Sequence, residues 1–492
     1  MCAIAGVWNH PNAFYQLREA LVEMVNRGDQ ASCVATYYNE LKTLRKIGPA
    51  SSALRDGKKG IDEAKQSYMG IAHGRYPTAG SDSSREEILK NSQPVGTSEP
   101  CTISIAGNGD VIEKEYNRAR EFLEDVGRKF TGNCDTEVIL HYFAHNLSLD
   151  MEEEEHYGVS NEQIIRNLRK TIDYFPNSAF SDVGMIIDRG KRRMFGFTDR
   201  NRIRPFVYGH KQIGKRESWM MTSETIPLYK QEYHNIKNLY PGEILLFDDN
   251  GMHLSKSEKQ LEPHPCMFEY AYFSRPANEI FKKRVQEVRM SLGRVLAEQD
   301  LENDFFNRDV IFSLISIPDG GNAYRDGYAN RILKSDITNF KIVPAIDKRN
   351  TRAFMQPLNE VQQATNSKHT VMKNLVDGEY GIIFDDSLVR GTTSKKIVED
   401  MNRLHMKEIH LRFGTPKIRK PCDLGVNMKD PKQFLVRTDE TGYSVETDEE
   451  IAKEIGSTTA AFTTIDAIEK SIGMKPCTGC LGRWYPGRRK VA

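Results

Sequence analysis

The sequence predicts two successive units, an α+β half followed by an α/β half built on a parallel sheet, and three observations predict it. Up to about residue 260, short apolar runs are punctuated by turn residues, as in "CAIAGVW", "YMGIAHGRY", "CTISIAGNGD" and "GEILLFDDNGMHL". These read as strands, several joined by tight turns. From about Ala277 onward, helical periodicity alternates with near-continuous apolar strands, the pattern of a parallel sheet covered on both faces. A chain of 492 residues also exceeds what one core ordinarily carries, so two domains are expected, 1–260 and 261–492.

In the first half, Asp249-Asn250-Gly251 marks a hairpin, and helices are expected over Ala119 to Gly127 and around Ile164, Ile165 and Leu168. The acidic run from Met151 reads as a solvated helix start or loop. In the second half a long helix is expected near Ile280 to Glu298. The strand "DVIFSLISI", a further helix, "FKIVPAI", "YGIIFDD" and a helix after Thr393 follow. Lys and Arg total 69 against 68 Asp and Glu, so no basic field exists for nucleic acid. No stretch approaches the roughly 18 apolar residues of a membrane span. A soluble cytoplasmic protein is expected.

Cys2 directly follows the initiator methionine. Once the methionine is trimmed, one residue carries a thiol and an α-amino group of matched basicity, so nucleophile and proton acceptor coexist without a separate histidine. Acyl transfer also needs oxyanion donors, and "GNGD" offers Asn108 and Gly109 as a pair on a turn. A free amino acid substrate needs its carboxylate and ammonium held, for which "HGRYPT" offers Arg75 and "NCDTEV" offers Asp135. Together "MCAIAGV", "NRGDQ", "AHGRYPTAG", "NSQPV", "GNGDV", "CDTEV", "DRNRIRPF" and "SETIPL" resemble, in order, the class II glutamine amidotransferases of the N-terminal-nucleophile (Ntn) hydrolase fold, an αββα sandwich. The resemblance implies that Cys2 attacks glutamine, that Asn108 and Gly109 form the oxyanion hole, that Arg27 and Arg75 line the glutamine pocket, and that Asp135 binds its amino group.

The second site is "YGIIFDDSLVRGTTSKKIVEDMNRL". Asp385 and Asp386 end a buried strand, where ligands bind in open α/β sheets. The loop Ser387 to Thr393 leads into a helix N-terminus suited to phosphate, with Gly391 admitting close approach and Thr392 and Thr393 adding hydroxyls. The two acids suit ribose hydroxyls or Mg²⁺. This stretch resembles the phosphoribosyl diphosphate motif of type I phosphoribosyltransferases, which implies ligand contacts from Asp385, Asp386, Ser387, Val389, Arg390, Gly391, Thr392 and Thr393. "SIPDGGNAYRDGYA" resembles that family's diphosphate loop, and Arg349 to Pro357 with Lys368 its flexible loop.

The two halves in this order resemble the amidophosphoribosyltransferase family. The resemblance implies transfer of ammonia to phosphoribosyl diphosphate as the first step of purine synthesis, purine nucleotide effectors and a homo-oligomer. Cys477-Thr-Gly-Cys480 is a chelating pair, and with Cys266 and Cys422 it offers four thiolates for zinc or a [4Fe–4S] cluster, between which spacing does not decide. The resemblance favours the cluster. Asn26, Thr198, Arg200, Arg202, Gly320, Asn366 and Arg483 depart from the family patterns. Two other readings stand beside the transferase: a glutaminase whose second half only senses phosphoribosyl diphosphate, and a non-catalytic nucleotide-binding regulator.

Overall fold

The computed structural model describes the chain except residues 59, 77–83, 154–157, 260, 349–368, 427, 429, 439–443 and 487–492. Lys368, Asn366 and the segment Arg349 to Pro357 therefore lie outside the described residues.

Two antiparallel sheets face each other in the first half. One is ordered His234–Asn238, Val207–Ile213, Arg216–Thr222, Ala3–Trp8, Met69–Arg75, Ala31–Tyr37 and Leu41–Ile47. The other is ordered Gly251–Ser255, Ile244–Asp248, Lys191–Thr198, Ala179–Asp188, Thr102–Asp110 and Val95–Thr97. Alternation along each strand splits the apolar side chains between two faces. Ile4 and Ile71 meet Ala106, Val183, Met185 and Leu245 between the sheets. Ala3, Ala5 and Val7 turn the other way, onto Phe14, Leu17 and Leu21 of the helix Ala13–Glu23. Ile103, Ile105 and Ile186 pack outward on Leu123, Phe143 and Leu168 of the helices Glu113–Asp125, Asp135–Glu153 and Asn161–Tyr174. The layering is αββα.

The second half carries a parallel sheet ordered Phe340–Ile342, Phe312–Ser316, Tyr380–Asp385, Glu408–Phe413 and Thr459–Phe462. Ile382 and Phe384 bury on one face and Ile383 on the other, which is why the strand reads as unbroken apolar sequence. Ile397, Val398 and Met401 cover the second face from the helix Thr392–Arg403.

Several expectations shift. Asn108 and Gly109 sit inside the strand Thr102–Asp110, paired with Ser181 and Phe180, and not on a turn. The helix expected from Ile280 begins at Val285, because Glu279–Ile280 and Lys283–Arg284 form a small hairpin through Phe281 and Lys282 at φ 47° and 64°. The helix expected from Ala119 begins six residues earlier, at Glu113, in a first turn without apolar periodicity. There the buried Glu115 carboxylate accepts from Asn177 and Ser178. Met151 to Glu153 close the helix Asp135–Glu153. No helix among the described residues is long and apolar enough to cross a membrane.

Asp182 is an anomaly on the helix-facing side of its sheet: it is buried, and neither carboxyl oxygen has a hydrogen-bond partner. Burial, and then Asp199, push its carboxyl well above 3.8. A raised acid is protonated in the native state and ionised in the unfolded one, so its cost is absent below about pH 3.8 and grows as pH rises toward the folded value. Asp182→Asn should therefore raise the melting temperature at neutral pH, with the gain shrinking toward pH 4 in a melting series.

Candidate functional site

The strand Ala3–Trp8 lies in the middle of its sheet and delivers Cys2 to the sheet's end, opposite Asn108. The Cys2 amide, which becomes the α-amino group once Met1 is lost, donates to Asn108 Oδ1 at 2.9 Å. Asn108 Nδ2 is buried without a partner, an N–H donor held ready beside the thiol. Gly107 donates its N–H to Gln93, so by strand alternation the Gly109 N–H two residues on faces the same edge. A side chain at Gly109 would run into the Ala179 carbonyl.

Sequence reasoning assigned the thiol no partner but its own amine. The structure adds His73, on the adjacent strand in register with Ile4. Desolvation pushes the Cys2 thiol up, yet the nearby His73 imidazole and, in the unprocessed chain, the Met1 ammonium more than offset it and bring the thiol down to about 5. "AHGRYPT" contained the signal: His73 shares a strand face with Arg75, two residues on.

Arg75 donates to Gln30 Oε1 at 2.9 Å and to the Asn91 carbonyl at 2.8 Å. Asn91 Oδ1 accepts from the Asn133 amide, which ties the segment bearing Arg75's partner Asn91 to the start of the helix Asp135–Glu153. Cys134 precedes it, its thiol pushed up to about 12 by burial and by Asp135. Arg27, also expected to line this pocket, lies against the Cys2 backbone. Its guanidinium is wholly buried, donating twice to Glu269 at 2.8 Å, to Glu224 at 3.1 Å and to the Cys2 carbonyl at 3.3 Å. The position of Arg27, in the 3₁₀ helix Val25–Arg27, could not reveal those partners, which lie 197 and 242 residues away.

In the second half, Asp385 ends its strand, and Gly391, at φ 72°, caps the helix Thr392–Arg403. The Asp386 amide donates to Asp385 Oδ1 and the Ser387 hydroxyl to Asp386 Oδ1. Burial and then Asp386 push Asp385 well above 3.8, while burial raises Asp386 to about 6. Two buried neighbouring carboxylates are costly without a cation or hydroxyl donors, so the arrangement is built for a ligand that supplies them. Arg390 is within electrostatic reach of Tyr76, whose ring meets Phe273 edge-on at 6.1 Å. Tyr272, next to Phe273, faces Asp386 and Asp385.

The departures from the family patterns acquire physical reasons. A side chain at Gly320 would fall on Asp386 Oδ2, so Gly320→Ser should displace that carboxylate and lower ammonia-dependent pyrophosphate release by roughly 10²-fold, read in a pyrophosphate assay. Arg202 adopts φ 53° and answers the strain by donating to the Leu239 and Phe206 carbonyls. Asn26 donates to Glu224 and to the Phe273 carbonyl. Arg483 reaches Asp466 at the surface, at 2.6 Å.

Cys266, Cys422, Cys477 and Cys480 are all buried in one core, with Cys266 and Cys477 in a parallel bridge. The Leu424 amide donates to Cys422 Sγ at 3.4 Å. Burial raises every one of these thiols, and Arg204 lowers Cys266, Cys422 and Cys477 in turn. Among the described residues, however, no three His, Cys, Asp or Glu side chains converge closely enough to hold a metal ion. The four thiols share one core and are the soft donors a cluster takes.

No protein-family model matches the chain. It is 27% identical to an amidophosphoribosyltransferase of Staphylococcus aureus, over 96% of this chain and 87% of that one. It is 29% identical to amidophosphoribosyltransferase 1, chloroplastic, of Arabidopsis thaliana, over 99% and 78%, and 27% identical to the amidophosphoribosyltransferase of Methanothermobacter thermautotrophicus, over 99% and 94%. Among solved structures, the glutamine phosphoribosylpyrophosphate amidotransferase of B. subtilis, complexed with ADP and GMP, superposes with a TM-score of 0.79 at 23% identity, over 99% of this chain and 97% of that one. These likenesses place the two halves in the fold of an Ntn amidotransferase followed by a type I phosphoribosyltransferase.

Proposed function

We propose, for a chain similar along its whole length to amidophosphoribosyltransferases, that it transfers the amide nitrogen of glutamine to phosphoribosyl diphosphate, giving phosphoribosylamine, pyrophosphate and glutamate, the first step of purine synthesis. The observation that carries the reading is the Cys2 to Asn108 bond, which leaves the Asn108 amide donor unpartnered next to a thiol that His73 lowers.

With Met1 removed, the Cys2 thiolate adds to the glutamine carboxamide carbon, and the oxyanion takes N–H donors from Asn108 Nδ2 and Gly109. The freed α-amino group, fixed by Asn108 Oδ1, hands a proton to the departing nitrogen, so ammonia leaves and a thioester remains. Water then cleaves the thioester to glutamate. Arg75 supports the substrate carboxylate and Asp135 its ammonium.

Ammonia stays unprotonated only where water is excluded, and the aromatic residues Tyr76, Phe273 and Tyr272 between the two sites suit that passage. In the second half, residues 261–492 of the proposed division, the N-terminus of Thr392–Arg403 receives the 5-phosphate and Asp385 and Asp386 accept from ribose hydroxyls. Mg²⁺, where bound by these acids, neutralises charge on the departing pyrophosphate. Cys266, Cys422, Cys477 and Cys480 would hold an iron–sulfur cluster, whose chemistry there is to tie three separated segments together. Purine nucleotide effectors and a homo-oligomer accompany the reading.

The test is a paired assay on purified protein. Pyrophosphate should appear with phosphoribosyl diphosphate plus either glutamine or concentrated ammonia, and intact mass should lack Met1. Glutamate without pyrophosphate would favour the sensing glutaminase, and a retained Met1 would remove the proposed nucleophile. Broad visible absorbance separates iron–sulfur from zinc.

A further inference from the structure

Arg204 belongs to the first half, in the segment between the strands Lys191–Thr198 and Val207–Ile213, and it is wholly buried. The segments that carry the four core cysteines close around it. The Cys266 amide donates to the carbonyl of its neighbour Ile203 at 3.1 Å. Gly425, just past Cys422 and at φ 95°, packs so closely on the guanidinium that a side chain there would meet Arg204 Nη2 at 2.9 Å. Cys477 joins Cys266 in the parallel bridge, and the Arg419 and Lys420 amides donate to the Cys480 carbonyl. Buried polar groups are ordinarily satisfied, and this guanidinium is not. Among the described residues, Nε and Nη2 have no acceptor, and Nη1 meets the sulfur of Met1, which the proposed trimming removes. Glu269 comes within 4.0 Å, but its carboxylate is already gripped by Arg27 through two nitrogens at 2.8 Å.

We propose that Arg204 is a positioning residue for a thiolate-bound metal centre at Cys266, Cys422, Cys477 and Cys480, its guanidinium donating to the ligating sulfurs and offsetting their charge. The proposal rests on the four-cysteine reading above. A buried cation without acceptors is costly, so the space around Arg204 is built for an anion that supplies them. Sulfur is the anion at hand, since Cys266, Cys422 and Cys477 all lie within electrostatic reach of the guanidinium. Four thiolates leave net negative charge on either metal that the donor set admits, so one countercharge serves zinc or an iron–sulfur cluster. The Leu424 amide already donates to Cys422 Sγ, and Arg204 adds donors from the opposite half of the chain. Loss of Met1 frees Nη1 for the same role. Groups that donate to ligating atoms and fix their orientation typically control how tightly a metal is kept.

The experiment follows release of iron and zinc to a chelator from full-length wild type, Arg204→Gln and Arg204→Lys, with thermal melting of each before and after the metal is stripped. Arg204→Gln should release metal about tenfold faster than wild type, and Arg204→Lys, which keeps the charge with fewer donors, should fall between them. Melting separates support of the metal centre from support of the fold. With metal bound, Arg204→Gln should lower the melting temperature. With metal stripped it should not, because the substitution then removes a buried charge that nothing offsets. Release within about twofold of wild type from folded Arg204→Gln, or an equal fall in melting temperature in both forms, would overturn the proposal. If Arg204→Gln fails to fold, Arg204→Lys decides: faster release supports the proposal and a wild-type rate overturns it. A wild type that carries neither iron nor zinc would instead sink the four-cysteine reading on which it stands.

Discussion

Cys2→Ala abolishes glutamate release, by at least about 10⁴-fold, and leaves ammonia-driven pyrophosphate release within about twofold of wild type. The loss is that large because no neighbouring thiol can substitute. Cys134 adjoins Asp135 but its thiol is pushed up to about 12, and Cys33, inside the strand Ala31–Tyr37, is pushed up to about 11. Neither is ionised at neutral pH, and an un-ionised thiol is a poor nucleophile. Cys2 alone has its desolvation outweighed, chiefly by His73. The ammonia reaction survives because Asp385 and the helix N-terminus at Thr392 belong to a different sheet, whose packing owes nothing to the Cys2 sulfur. Glutamate formation and pyrophosphate formation, followed in one reaction mixture, separate the two effects. Equal loss of both would mean that the substitution disturbed the fold.

The residues the sequence exposed are those whose chemistry is local. Asp385 and Asp386 follow an apolar run and precede a glycine and two threonines, so strand end, loop and helix start are all written within a dozen residues. Cys2 announces itself by position, and the sheet pattern of the first half by its alternation. What stayed hidden depends on partners far along the chain. Asn108 and Gly109 resemble turn residues because Asn-Gly is the usual hairpin signal, yet the long pairing from Thr102 to Asp110 keeps them in a strand. Nothing near Arg27 in sequence announces the buried pairing with Glu269. Gly320 resembles a lost hydroxyl until Asp386 fills the space its side chain would occupy. Asp182 carries no local sign of burial, since an acid in a strand ordinarily faces water.

Arg27 and Glu269 also explain why the halves must be read as one reaction centre. Each is wholly buried, and a buried charge stripped of its partner typically costs about 3–5 kcal/mol. Residues so expensive to separate lie within one hydrogen bond of the Cys2 carbonyl on one side, and within the turn that presents Tyr272 to Asp385 and Asp386 on the other. The interface is thus ionic at its centre and aromatic beside it, which suits a passage for a small uncharged molecule better than it suits a rigid apolar seam.

Asp386→Asn should eliminate pyrophosphate release from both glutamine and ammonia, by about 10³-fold, while the glutaminase persists. The substitution keeps the shape of a side chain that Gly320 backs and the Ser387 hydroxyl braces, so steric disturbance is small and the missing charge is what the assay reads. Folding should move the opposite way. Asp385 and Asp386 each stand above the ordinary carboxylate range, first through burial and, for Asp385, next through repulsion by its neighbour. An acid raised in the native state loses stability as pH climbs from about 3.8 toward its folded value, so replacing one of the pair with an amide removes that loss at neutral pH and relieves the other. The expected variant is therefore inactive in its second half and at least as heat-stable as wild type near pH 7. Lost activity with a lowered melting temperature would contradict this account, because it would make Asp386 a structural support and not a charge held in reserve for a ligand.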